Sequence, residues 1–371
     1  MKKYTCLITT SVGLAPTLHR ELKYLWVKPY NQFETWVFVD CTLKEIAFLN
    51  VWIRTWSKIR KQLSHKKQCD SFESLFTLLE TLPRENYLDE TSPFQIKAYS
   101  YNSDLESIPT IQSVSHKAIL NRIIWKNQQH TVNNDKQAHT IRIQLHNNAL
   151  FVYINTSWNA LHERWRRMHH LQAPLKEHIA AALVLMTSRW YSLPLVDVCC
   201  WWWTIPIEAA LIATNRAPWM HRWFACESFW WFNFQDDIAS IKHDAQQKIF
   251  EKEYKIVWYD IDQEAIRCAA DHASNAWVAH CISLQSRDCT DVILEENDTL
   301  ITNPPYWKRI WSENVDQIHD IIFHKARYCK AATIISGYEH THWLYHPRYR
   351  KTKQTKNWAD RCNIYMHNKV N

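Results

Sequence analysis

The chain is 371 residues long and 46% hydrophobic, which suffices for two or three domains with their own cores. Its net charge of +7 favours a polyanionic partner, and eleven cysteines without a Cys-x-x-Cys pair argue against a disulfide framework or a zinc site. The amino terminus is too short and polar for a signal peptide and no apolar run has membrane length, so we expect a soluble cytoplasmic protein without a metal or an obligate protein partner.

The first 155 residues are predicted to form an α+β module in two segments. Residues 3–62 have the order strand, helix, strand, helix, and residues 63–155 add two helices and three strands. The predicted elements are strands at 4–9 and 34–40, helices at 15–25 and 43–56, helices at 71–82 and 111–125, and strands at 94–99, 140–145 and 149–154.

After a basic linker, strands and helices alternate, which predicts a doubly wound parallel sheet. The predicted strands are centred on 194–198, 255–259, 280–284, 299–302 and 331–336. The predicted helices span 175–189, 204–214, 238–250, 263–276 and 314–330.

Lysine and arginine occur in clusters rather than evenly along the chain. The clusters include Arg54, Lys58, Arg60 and Lys61 in the first segment, Arg164, Arg166 and Arg167 in the linker, and residues 348–356 near the end. Such clusters are typical of nucleic-acid contacts, and for any one of them a merely solvated face is an equally good interpretation.

Residues 194–214 are predicted to form a strand, a tight turn and a helix. The helix begins at Thr204, whose hydroxyl suits an N-cap, and Pro206 lies in its first turn. A turn at the carboxyl end of a parallel strand can bind nucleotide-like ligands, and it requires glycine because φ is often positive and the ligand approaches the backbone. Three consecutive indoles, Trp201 to Trp203, occupy it instead.

A second motif, Asn303-Pro304-Pro305-Tyr306, follows the apolar strand at 299–302. The two prolines fix φ and restrict the residues before them, so this loop is rigid. Carboxylates follow the other predicted strands, namely Asp197, Asp260, Asp262 and Asp288. Asp262 is expected to cap the helix at 263–276, and Asp288 fits a simple turn as well as it fits a ligand contact.

These motifs resemble those of the bacterial THUMP-domain, S-adenosylmethionine-dependent methyltransferases that modify the exocyclic amino group of guanine in ribosomal RNA, with relatives acting on tRNA. Asp197, Cys200, Thr204, Pro206 and Glu208 keep the family's first motif, in which a Gly-x-Gly-Thr loop follows an acid. Further landmarks lie at 11–14, 155–158, 161–165, 173–177 and 303–307. The resemblance covers nearly the whole chain.

The resemblance implies a ferredoxin-like segment at 1–62, a THUMP RNA-binding domain at 63–155, a linker at 156–173 and a Rossmann-like methyltransferase domain at 174–371, whose last strands lie within 351–371. It implies S-adenosylmethionine as the cofactor, with Asp260 on the ribose hydroxyls and Asp288 on the adenine. The implied cofactor-binding residues are Asp197, Cys199, Cys200, Trp201, Trp203, Thr204, Asp260 and Asp288. Structured RNA is the implied partner, contacted by Arg54, Lys58, Arg60, Lys61, Arg164, Arg166 and Arg167.

In the resembled motif, the Asn303 side-chain oxygen and the Pro304 carbonyl accept hydrogen bonds from the two N–H groups of an exocyclic amine. Pro305 stiffens the loop, and Tyr306 stacks on the extruded base. The expected reaction forms N2-methylguanine in 23S ribosomal RNA. Three alternatives stay open. They are a tRNA guanine-N2 methyltransferase, a DNA adenine-N6 methyltransferase using the same motif, and a catalytically dead RNA-binding protein if the tryptophan loop is genuine.

Tryptophan stands at many positions where this family pattern has glycine. The chain has 21 tryptophans and only two glycines, Gly13 and Gly337, whereas an ordinary domain is roughly 7% glycine. We hypothesise that most of these tryptophans are glycines in the native protein, encoded by UGA in a genetic code that assigns it to glycine. Real divergence, which would leave a dead enzyme, and deliberate engineering are the alternatives. Glycine is expected at 26, 36, 158, 165, 201, 203, 219, 258, 277 and 307, and Trp52 is expected to be genuine. As tryptophans, residues 201–203 should crowd the cleft between Asp197, Asp260 and Asn303 and weaken cofactor binding.

Overall fold

The computed structural model contains two sheets with helices packed on them. It describes residues 2–64, 67–83, 86–88, 91–127, 136–158, 175–187, 194–199, 203–229, 232–251, 254–305, 315–337, 349–357 and 360–368. No helix within these ranges is long and apolar enough to cross a membrane.

The first sheet has eight strands in the order β2-β3-β1-β4-β8-β7-β6, with β5 paired to β8. Its strands are β1 Tyr4–Thr9, β2 Pro29–Gln32, β3 Trp36–Cys41, β4 Lys58–Gln62, β5 Lys67–Gln68, β6 Phe94–Tyr101, β7 His139–His146 and β8 Ala149–Asn155. Its helices are α1 Ala15–Tyr24, α2 Leu43–Trp52, α3 Phe72–Glu80 and α4 Ile108–Asn127. Antiparallel pairing of β4 with β8 joins the two predicted segments into one continuous sheet.

Local signals set several of these elements. Thr42 caps α2 in a capping box with Glu45, whose carboxylate accepts from the Thr42 amide at 2.7 Å. Asn147 and Asn148 have φ of 50° and 57° in the hairpin between β7 and β8, as a type I′ turn requires. Strands β2 and β4 were not predicted, because β2 is polar and β4 is mostly charged.

The second sheet has seven strands in the order β11-β10-β9-β12-β13-β15-β14. Its strands are β9 Leu195–Asp197, β10 Ile256–Asp260, β11 Ile282–Ser286, β12 Thr299–Thr302, β13 Ala331–Ser336, β14 Tyr349–Asn357 and β15 Asp360–Asn368. Its helices are α5 Glu177–Met186, α6 Thr204–Ala213, α8 Gln263–Asn275 and α9 Val315–Ala326, whereas α7 Phe234–Gln247 packs against α2 in the core of the first unit. Strands β9 to β13 pair in parallel and β15 is antiparallel to β13, so the predicted doubly wound sheet with terminal strands is confirmed. The strand order reverses between β9 and β12, which opens a crevice at their carboxyl ends.

A polar and aromatic joint connects the two sheets. The Ser11 hydroxyl lies 2.7 Å from Nε2 of His178 in α5, and the Trp219 indole donates to the Ile53 carbonyl at 2.7 Å. The Trp219 ring also packs edge-on against Trp56 and is fully buried, so this residue is accommodated as a tryptophan although glycine was expected there. The first sheet is therefore anchored directly to the second unit.

Two residues predicted to contact RNA are buried. The Arg54 side chain is only 6% exposed, and its guanidinium donates to the backbone carbonyls of Leu211 and Arg216 across the joint. Lys61 is 2% exposed, and its amine donates to the Tyr87 hydroxyl. The prediction that Arg54 and Lys61 bind RNA is wrong, because desolvated side chains holding internal partners are not available to a polyanion.

Two tryptophans end helices in a backbone conformation that favours glycine. Trp26, after α1, has φ 62°, and its amide and that of Val27 donate to the carbonyls of Lys23 and Leu22. Trp277, after α8, has φ 57°, and its amide and that of Val278 donate to the carbonyls of Ser274 and Ala273. Both ends are Schellman motifs, whose left-handed position is usually glycine.

Candidate functional site

The carboxyl ends of β9, β10 and β12 bring the predicted site residues together. Asp197 ends β9 and is buried, and its Oδ1 accepts from the Thr302 hydroxyl at 2.6 Å and from the Cys199 amide at 3.2 Å. Thr302 ends β12, directly before Asn303, which is 7% exposed. One carboxylate therefore links the loop after β9 to the Asn303 loop.

Burial dominates the electrostatics of Asp197. Desolvation raises its pKa to about 7, and the nearby Asp260 carboxylate adds to this effect. The hydrogen bonds from Thr302 and Cys199 act in the opposite direction. Asp197 can thus gain or lose a proton near neutral pH, and a cation bound nearby would favour its charged form.

The remaining carboxylates have distinct tasks. Asp260 ends β10, and its Oδ1 accepts from the Asp262 amide at 2.9 Å. Asp262 caps α8 by accepting from the Glu264 amide at 2.9 Å, as predicted. Asp288 lies two residues beyond β11, and hydrogen bonds from the amide and hydroxyl of Thr290 lower its pKa. Asp260 and Asp288 are the two carboxylates that face the same cavity.

This cavity has a volume of about 320 Å³ at the carboxyl edge of the second sheet. Its wall combines the two carboxylates with apolar side chains and with Pro305 of the second motif. The lining residues are Val198, Cys199, Asp260, Ile261, Asp288, Cys289, Thr290, Pro305, Gln317, Ile318 and Ile321. Ile261 is 68% exposed, so it offers an apolar surface between the carboxylates to a planar ring.

The loop after β12 is held by a residue that sequence analysis missed. Nε2 of the buried His319, in α9, hydrogen-bonds to the Pro305 carbonyl at 2.8 Å. Burial lowers the pKa of His319, which favours the neutral ring. The bond ties the loop to α9, and its only sequence signal is a histidine on the apolar face of a predicted helix.

The first motif differs in detail from its prediction. Helix α6 begins at Thr204, but the N-cap is Trp203, in the left-handed conformation with φ 37°, and Thr204 is the first helical residue. The Trp203 side chain is 3% exposed and stacks on His272 with ring centroids 4.5 Å apart. Trp203 therefore points into the core instead of crowding the cleft, which corrects the prediction for this residue.

Several predicted site residues lie outside the described ranges. They are Cys200, Trp201, Tyr306, Arg164, Arg166 and Arg167, together with Trp202. Lys58 and Arg60 are described and lie on β4, in the first sheet.

Comparison with known proteins identifies both halves of the chain. A model of the RMKL-like methyltransferase domain matches residues 164–340, and a THUMP domain model matches residues 69–155. YpsC of Bacillus subtilis (strain 168), named as an RNA methyltransferase, is 27% identical over 324 residues that cover 86% of this chain and 83% of YpsC. The ribosomal RNA large subunit methyltransferase K/L of Psychromonas ingrahamii is 30% identical over 82% of this chain, and the chain spans 42% of that longer protein.

Solved structures have the same fold over the whole chain. SMU.472, named as a methyltransferase and complexed with SAH, aligns over 100% of both chains with a TM-score of 0.87 at 24% identity. A Listeria monocytogenes protein named as an N6-adenine-specific DNA methylase aligns over 99% of this chain and 96% of its own, with a TM-score of 0.87 at 27% identity. With the domain matches, the chain therefore combines a THUMP domain with an RMKL-like methyltransferase domain.

Proposed function

We propose that this chain transfers a methyl group from S-adenosylmethionine to the exocyclic N2 amino group of a guanine in structured RNA, with large-subunit (23S) ribosomal RNA as the target. The observation that carries the proposal is the rigid loop Asn303-Pro304-Pro305. It follows the buried strand β12 and is bonded through Thr302 to the carboxylate that begins the first motif.

The cavity suits the cofactor chemically. Asp260 offers carboxylate oxygens to ribose hydroxyls, Asp288 to an adenine amino group, and Ile261 an apolar surface to the adenine ring. Asp197, with a pKa near 7, gains by ionising beside the positively charged methionine end. When bound, S-adenosylmethionine supplies an electrophilic methyl group on its sulfonium.

The acceptor nitrogen needs orientation more than a strong base. An exocyclic amine shares its lone pair with the purine ring, so it becomes nucleophilic when both N–H bonds are held by acceptors on one side. The Asn303 side-chain oxygen and the Pro304 carbonyl are these acceptors in the proposal. The hydrogen bond from His319 to the Pro305 carbonyl limits movement of the loop. The proton leaves after the nitrogen has become cationic, so water suffices to take it.

The choice of RNA rests on the N-terminal half and on the names of the relatives, whereas guanine is the acceptor that the resemblance of the motifs implies. The THUMP match and the names of YpsC and the K/L enzyme support RNA, and the K/L name supports the large ribosomal subunit. The Listeria protein's name supports adenine in DNA instead, and the same loop would suit that amine. We favour RNA because the first 155 residues, which form the first sheet and its helices, take no part in methyl transfer and contain the THUMP match.

Replacement of Asn303 tests the proposed role. In a background carrying Trp201→Gly, Trp202→Gly and Trp203→Gly, Asn303→Ala should lower methyl transfer at least 100-fold, because one acceptor is lost. Cofactor affinity measured by calorimetry should change less than threefold. The matched control is Asn297→Ala, an exposed asparagine just before β12, which should keep full turnover. Equal turnover of the two variants would remove the role of Asn303.

A further inference from the structure

One face of the first sheet is covered by helices and the other is open. Helix α4 packs on β6, and the burial of β6 alternates strictly, with Phe94, Ile96 and Ala98 turned toward that helix. The alternate residues of β6 therefore lie on the opposite side, which we call the open face. Strand register extends it across the sheet. Its exposed and half-buried residues are Gln95, Lys97, Tyr99 and Tyr101 on β6, Arg142 and Gln144 on β7, Phe151 on β8, Lys58, Arg60 and Gln62 on β4, and Phe38 and Asp40 on β3, whereas Tyr153 of β8 and Leu7 of β1 on the same side are buried.

Exposed aromatic rings form one part of the open face. Tyr99 is 43% exposed and Tyr101 is 57% exposed, two positions apart on the edge strand β6. The Tyr101 ring stacks on His146 of β7 with ring centroids 5.3 Å apart. Large rings exposed in a row are unusual on a solvated strand, and they are the groups on which unpaired nucleic-acid bases stack.

Four cations lie beside these rings. Lys97 and Arg142 are directly paired across β6 and β7, and Lys58 and Arg60 are two positions apart on β4. None of the four side chains forms a salt bridge with any residue that the structure describes. Burial, and after it the nearby charges of Arg60, Lys97 and Arg142, lower the pKa of Lys58 to about 8. The cations thus repel one another, and a bound polyanion would relieve that repulsion.

From this arrangement we infer that the open face binds a single-stranded segment of the RNA substrate. Bases stack on Tyr99 and Tyr101, and phosphates lie against Lys97, Arg142, Lys58 and Arg60. The inference rests on the proposed function for the identity of the polyanion. Single strands fit better than duplex, because a paired helix hides the faces of its bases from aromatic side chains.

The test measures binding of a fluorescent single-stranded RNA and of a duplex RNA to the full chain. Tyr99→Ala/Tyr101→Ala should weaken single-strand binding at least tenfold, with a smaller loss for the duplex. Tyr24→Ala/Tyr328→Ala is the matched control, because both rings are exposed but lie away from the open face, on α1 and after α9. It should bind like the unaltered chain.

Replacement of two cationic side chains tests the phosphate contacts. Lys97→Ala/Arg142→Ala should reduce the slope of log Kd against log salt concentration by about 1.4, the value for two phosphate contacts on a single strand. Lys44→Ala/Lys117→Ala, on the exposed sides of α2 and α4, should leave the slope unchanged. Lys97→Ala alone, at an exposed position, is the second variant if the double change unfolds the sheet.

The outcomes separate this inference from the proposed function. Loss of RNA binding in the open-face variants, with unchanged cofactor affinity, supports the inference. Equal binding by the open-face and control variants overturns it and leaves the methyl-transfer proposal standing. Stronger binding of duplex than of single strands also overturns it. No RNA binding by the unaltered chain would overturn the RNA substrate itself.

Discussion

Asp197 is the residue on which the site's electrostatics depend. It is buried, bonded to Thr302 and Cys199, and close to a second carboxylate at Asp260. The sequence predicted its place at the end of a strand, because an apolar run ends there. It could not predict the bond to Thr302, since 105 positions separate the two residues and only the parallel pairing of β9 with β12 joins them.

The raised pKa of Asp197 predicts a pH-dependent stability. The folded protein keeps a proton that the unfolded chain releases above pH 3.8, so the free energy of unfolding should fall by roughly 2–4 kcal/mol between pH 4 and 7 and then level off. Urea unfolding at pH 5 and pH 8 measures this difference. Asp197→Asn should remove most of it, whereas Asp291→Asn at an exposed position should not. A decrease of the same size in both variants would contradict the assignment.

The same ionisation predicts a pH dependence of cofactor binding. The cationic methionine end of S-adenosylmethionine favours ionised Asp197, so binding near pH 6.5 should release a proton and affinity should rise between pH 6 and 8. Calorimetry in buffers of different ionisation enthalpy counts the proton. If affinity is flat over this range and no proton is released, Asp197 does not face the cofactor's charge.

At the scale of elements, the backbone distinguishes among the tryptophans. Besides five asparagines, the non-glycine residues with positive φ in the described ranges are Trp26, Trp203 and Trp277, all expected glycine positions. Asn215 fills the equivalent Schellman position after α6, with φ 52°. Trp219 instead packs as a tryptophan. The helix ends thus support glycine at three positions, and peptide mass spectrometry of the protein from its native host would identify the residue at each.

Stability provides an independent test of the helix end at Trp26. Its side chain is 93% exposed and its φ is 62°, so Trp26→Gly should raise the free energy of unfolding by about 1 kcal/mol. Trp52→Gly is the contrast, because Trp52 is helical and half-buried and its ring packs tilted against Phe48, so its loss should destabilise the fold by at least about 1 kcal/mol. Thermal unfolding compares the two. Destabilisation by Trp26→Gly would argue that this tryptophan is native.

The hydrophobic pattern of the sequence predicted most strands and helices of the second unit, because its strands are apolar and alternate with helices along the chain. Strands β12 and β13 have the predicted bounds. Helix α2 ends at Trp52 rather than at residue 56, since Arg54 and Thr55 donate their amides to Glu21 instead of continuing the helix. That carboxylate lies in α1, more than thirty positions away, so no local pattern could reveal it.

For the whole molecule, the joint between the sheets determines which basic residues serve stability and which serve the RNA. Arg54→Ala should lower the free energy of unfolding by about 2 kcal/mol, because carbonyls of Leu211 and Arg216 lose a charged donor, and RNA affinity of the folded protein should not change. Lys58→Ala should instead lower RNA affinity and leave the free energy of unfolding nearly unchanged. Thermal unfolding and RNA titration of both variants measure these effects. Equal losses of stability and of RNA affinity in the two variants would contradict this division.

The product of the reaction tests the central claim most directly. Protein purified from its native host should be incubated with S-adenosylmethionine carrying a deuterated methyl group. Each reaction contains one unmodified nucleic acid: large-subunit ribosomal RNA, tRNA or DNA. Digestion to nucleosides and mass spectrometry should find the label in N2-methylguanosine from the ribosomal RNA. Label in N6-methyladenine from DNA, or in no nucleoside while the cofactor is bound, would contradict the account.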